Sequence, residues 1–135
     1  MQNEDFVRFE QATKLYNLDF DWYCEMAYYT HSWMKEPRLV HFTIAHKEQC
    51  NYDGTDVYPA PSLSQVQKWL REVKGIEVIV EPRFSNYKRI GYDWMVYDDF
   101  SGDYSLRAPL PFSSSHEAAL SAGIAATIEL LEGKG

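Results

Sequence analysis

The chain has 135 residues, a length that suits one domain, and its 45% apolar and 16% aromatic content is enough to fill a single core. Thirteen Lys and Arg stand against 20 Asp and Glu, a net charge of −7, so the averaged field repels phosphate and disfavours non-specific binding to DNA or RNA. No apolar run approaches the length of a bilayer span, and MQNEDFVRFE has neither the basic start nor the apolar stretch of a secretory leader, so a cytoplasmic protein without membrane contact is expected.

In chain order, FVRFEQATKLY places Phe9, Ala12, Leu15 and Tyr16 at helical spacing, with Asn17 suited to the C-cap. In DFDWYCEMAYYT, Phe20, Cys24, Ala27, His31 and Met34 fit a helix face. Equally, Trp22, Cys24, Met26 and Tyr28 alternate with Tyr23, Glu25, Ala27 and Tyr29, and a run so rich in aromatics packs better on a pleated surface. The segment is read as a strand. After Pro37, RLVHFTIAHK alternates Val40, Phe42 and Ile44 with His41, Thr43 and Ala45, a second strand that closes a hairpin with the first. Residues 47–61, with Asp53-Gly54 and Pro59-Ala60-Pro61, read as an exposed loop.

PSLSQVQKWLREVKG carries a capping pair, Ser62 and Gln65, a buried stripe of Leu63, Val66, Leu70 and Val73, and a left-handed stop at Gly75. IEVIVEP is a strand ended by Pro82, and YDWMVYDD is another, with Tyr92, Trp94 and Val96 on one face. RFSNYKRIG joins them as a basic loop. Tyr104 to Arg107 suits a short edge strand, because Pro109 and Pro111 exclude a central one. The last helix opens on Ser114 and Glu117 as a capping box and carries Leu120, Ile124, Ile128 and Leu131 as its apolar stripe. The expected architecture is one α+β domain over residues 1–135, a single layer of mainly antiparallel sheet covered by helices in the order αββαββα.

Residues that could carry chemistry are few. Cys24 and Cys50 have the wrong spacing for a CxxC site and read as reduced thiols. His41 and His46 have opposite parity on a strand, so while the strand stays regular they cannot meet one ion, and a zinc site with Cys50 would need a bulge or the loop. Asp93, Asp98, Asp99 and Asp103 lack the alternation and distant glutamate of a calcium loop. No GxSxG, P-loop, GxGxxG or HExxH occurs. No cofactor is expected, and an enzyme with a site near His41 or Asp93 to Asp103 ranks last.

Two surfaces suit binding. Arg83, Phe84, Tyr87, Lys88 and Arg89 mix cations with rings, as a site that stacks a base and pairs a phosphate would. Ten Tyr and four Trp exceed what a small core buries, and such rings favour interfaces; Tyr23 and Tyr29 on the strand face, with Tyr52 and Tyr58 in the loop, are the candidates for contacting a protein partner or a second copy.

Three blocks, FVRFEQATKLYNLDFDW, APSLSQVQKWLREVKGIEVIVEP and HEAALSAGIAATIELL, resemble in the same order those of a group of small proteins of phages and prophages of gut bacteria. That group's phrases run close to FVSFELAKKLKELGFD, APT followed by LVQKWLRE, and EEALEAGL. Arg8 stands where serine is usual, and Asn17-Leu18 where a Lys-Gly stop is usual. The resemblance implies a fold and a mobile-element context, and no activity. The final helix alone is also similar to the ends of HicB-like antitoxins and of double-stranded-RNA-binding domains, but the latter need basic residues where this helix has only Lys134 beyond its stripe. The function expected is that of a non-enzymatic accessory protein acting through protein contacts, with a nucleic-acid module as the alternative.

Overall fold

The computed structural model of the protein describes residues 6–44, 51–52, 55–98, 104–107 and 112–134. It is α+β. Among the described residues the strands form two antiparallel sheets, one of four strands and one of three, where a single layer was expected. The chain's contacts group it into two compact units, residues 1–62 and 63–135.

The first unit holds α1 (Phe9–Asn17), β1 (Cys24–His31), β2 (Arg38–Ile44), β3 (Asn51–Tyr52) and β4 (Thr55–Pro59), with sheet order β2-β1-β4-β3. Arg8 cannot cap as serine does, but Gln11 three residues on accepts the Arg8 N–H at 3.0 Å, which is half of a capping box. The helix ends one residue later than expected. Leu18 is the C-cap, Asp19 takes φ 67°, and the Phe20 N–H reaches the Leu15 carbonyl at 3.0 Å, a Schellman closure in which Phe20 and Leu15 are both buried.

β1 pairs with β2 as the expected hairpin, with a bulge that sets two β2 residues, 42 and 43, opposite Glu25; Cys24 and Met26 share one buried face, and Ala27 on the other face is buried as well. Within 47–61, expected as an exposed loop, the described residues include the strands β3 and β4. β4 pairs along β1 from Ala27↔Pro59 to His31↔Thr55, and Val57, Ala60 and Pro61 are buried. Pro59 is the last residue of its strand and the Ala60 N–H continues to the Met26 carbonyl at 2.9 Å, so the missing proline donor interrupts nothing.

The second unit holds α2 (Leu63–Trp69), a π turn (Leu70–Lys74), β5 (Ile76–Ser85), β6 (Lys88–Asp98), β7 (Tyr104–Arg107) and α3 (His116–Lys134), with sheet order β5-β6-β7. Leu63, Val66 and Leu70 are buried as expected and Gly75 is the left-handed stop at φ 67°. Val73 is not buried: the wider π turn rotates it off the apolar face, and it is half exposed. The same turn brings Lys74 Nζ to 5.4 Å from the Trp69 ring centre.

α3 lies on the sheet through small residues. A Cβ on Gly123 would stand 2.9 Å from Val78 Cγ1 and 3.4 Å from Trp94 Cβ, so the close approach requires glycine. The helix cap is Ser115, whose Oγ accepts the Ala118 N–H at 3.1 Å, one residue after the Ser114 expected. Pro82 does not end its strand. β5 is an edge strand, and Tyr92, opposite Pro82, spends its own N–H and carbonyl on Ser113, so Pro82 faces its nitrogen outward where no ladder donor is needed. Gln67 Nε2 donates to the Val78 carbonyl at 2.7 Å on that edge.

Candidate functional site

The segment expected as a basic loop is a tight hairpin. Ser85 pairs with Lys88, leaving Asn86 and Tyr87 as a two-residue turn with φ 51° and 65°, the left-handed pair that a type I′ turn demands. Asn is favoured at the first position. At the second the favoured residue is glycine, and a tyrosine held there costs about 1 kcal/mol in backbone strain. Its ring is fully exposed, so no packing within the chain offsets that strain.

A bulge follows. Arg83 pairs with Gly91 and Phe84 with Arg89, so Ile90 is the extra residue. Gly91 takes φ 155° and is buried, and a Cβ there would stand 2.7 Å from Phe112 Cβ and 2.9 Å from the Ser113 carbonyl oxygen. The outcome is an apolar tip: Phe84 is 62% exposed and Ile90 53%, beside the exposed Tyr87.

Charge at the tip comes from Lys88 and Arg89, both exposed. Arg89 lays its guanidinium 5.2 Å from the Tyr92 ring centre, and Tyr92 meets the His116 ring edge-on at 6.0 Å. Arg83, expected as part of the basic patch, belongs to the framework instead. Its Nη2 and Nε donate to Asp93 Oδ2 at 2.7 and 3.1 Å, and Nη2 lies 3.8 Å from Glu81. Asp93 is buried, so the guanidinium compensates a carboxylate that burial would otherwise penalise. The pair ties β5 to β6 below the tip.

Two of the four tyrosines expected to form a docking face, Tyr29 and Tyr58, are packed. Tyr58 lies opposite Tyr28 on β4 and meets Phe9 and Tyr16 edge-on at 5.7 and 5.4 Å. Tyr29 packs on the buried Ala27 and Val57. Tyr23 remains 52% exposed, and Tyr52 is placed by its backbone alone, opposite Thr55. Tyr28, which sequence reasoning passed over, donates its hydroxyl to the Val7 carbonyl at 2.6 Å, and burial pushes its phenol above the ordinary value, with Arg8 opposing the shift.

His41 sits exposed on β2 opposite Met26, while His46 and Cys50 lie outside the described residues. Of the acidic cluster, Asp93 is committed to Arg83, Asp98 ends β6, and Asp99 and Asp103 lie outside the described residues. Ile90 was missed because RFSNYKRIG reads as a basic loop, in which one isoleucine announces no bulge. Comparison with protein-family models, with the curated proteins and with the solved structures found no match to this chain.

Proposed function

We propose that the protein is a non-enzymatic binding protein that works by presenting the β5–β6 hairpin tip to another protein, as an accessory factor of a phage, prophage or other mobile element. The observation that carries this reading is Tyr87, a fully exposed ring at a left-handed turn position where glycine would be more stable. Strain retained at a solvated position points to a use outside the chain. Phe84 and Ile90 widen the apolar contact, and Lys88 and Arg89 suit a partner surface with carboxylates at its rim. The mobile-element context rests on the resemblance of the three sequence blocks.

A photo-crosslinking phenylalanine at position 87 tests this in cells that make the protein. Protein adducts are expected from position 87 and not from the same probe at Glu129, on the exposed side of α3. No adduct at 87, or adducts that nuclease removes, overturns the reading. The second outcome would favour a nucleic-acid module using Phe84, Tyr87, Lys88 and Arg89. With Arg83 held by Asp93, the tip offers two cations to phosphate, enough for a salt slope of only about −1.4 on a single strand.

A further inference from the structure

The exposed large apolar residues of the described chain include one in the first unit that is bracketed by carboxylates. Asp21, Tyr23 and Glu25 are all exposed, while Trp22 between them is half-buried and Cys24 is buried. That alternation sets the three side chains on one side of an extended segment, a ring between two acids. The hairpin tip is the complement: Phe84, Tyr87 and Ile90 around Lys88 and Arg89. The first unit as a whole carries five Lys and Arg against ten Asp and Glu, which extends the attraction beyond the two acids.

We infer that the hairpin tip of one copy docks on the Asp21–Tyr23–Glu25 edge of a second copy. This rests on the tip being a contact element and names its occupant. After the first contact the pair retains one unused tip and one unused acidic edge, which either meet to close a two-fold dimer or continue head-to-tail to a ring or a chain. Patches of this size fall short of the roughly 800 Å² per partner of a standard interface, so the contact is weak and is seen only at high concentration. It weakens with salt, because its charged groups are exposed.

Sedimentation equilibrium of the purified protein, from about 10 μM to about 1 mM at low and moderate salt, tests the inference. The mean mass is expected to rise with concentration and to fall with salt. K88E/R89E and D21K/E25K should each weaken association at least tenfold, and the four substitutions together should restore it. K88E alone, which leaves the Arg89–Tyr92 stacking in place, should weaken it in the same direction. A wild-type protein that stays monomeric at 1 mM, association indifferent to both reversals, or a combined variant that fails to reassociate overturns the inference. A monomeric protein whose position 87 still crosslinks to another protein removes self-docking and leaves the binding role. Absence of both removes the two together.

Discussion

Tyr87 sets the proposed binding role against local stability. Replacing it with glycine relieves a left-handed tyrosine in a type I′ turn, so Tyr87→Gly should stabilise the protein by about 1 kcal/mol and raise its melting temperature by about 3–5 °C. The same variant should lose the crosslink and the self-association. A denaturant titration beside the two binding assays checks this, and a destabilised Tyr87→Gly would remove the strain argument. Tyr28 gives a second test at this scale. Its phenol is held neutral by burial in the folded state, so its folded pKa lies above the unfolded value near 10. The contribution is therefore complete below pH 10 and is lost as pH rises through the folded value, because the unfolded chain ionises first. Tyr28→Phe should flatten that alkaline loss and remove about 1 kcal/mol at neutral pH with the bond to Val7, measurable by urea unfolding at pH 7 and across pH 9 to 11.

Among the elements, the β5–β6 hairpin depends on three supports: the Arg83–Asp93 pair, the Ile90 bulge and Gly91. Arg83→Ala leaves Asp93 buried without its cation and should cost about 2 kcal/mol, less than for a fully buried pair because the guanidinium is one-third exposed. Gly91→Ala places a Cβ against backbone at a positive φ and should cost about 3 kcal/mol. Unfolding midpoints rank these variants; an Arg83→Ala protein as stable as wild type would show that water replaces the guanidinium. Most of these elements were legible in the sequence. Helical spacing located α1, α2 and α3, alternation located β1, β2, β5 and β6, and Gly75 was recognisable as a stop because only glycine takes that conformation freely. The rest was hidden for physical reasons. Asn86-Tyr87 lacks the glycine that announces a type I′ turn, so a hairpin looked like a loop. Pro59 and Pro82 looked like strand breakers because a sequence does not show that one is terminal and the other on an edge. Arg83 looked like a ligand for phosphate because its partner Asp93 stands ten residues away.

At the scale of the whole molecule, the net charge of −7 and the small basic tip decide what the protein attracts. The intact chain should not be retained on heparin at physiological salt; firm retention that Lys88→Ala abolishes would bring the nucleic-acid reading forward. The α+β class was legible from composition and period, whereas the division into two sheets was not, because local alternation says nothing of which strands become neighbours. The same limit applied to the tip, whose exposed rings are distinguishable from core rings only once the strands are paired. Pro82 presents no donor along the outer side of β5, and Gln67 already occupies the Val78 carbonyl there, so an incoming strand would find a ladder with missing rungs. Templated growth of β-structure along that side is blocked, so the proposed assembly through side chains would be a reversible process that dilution undoes.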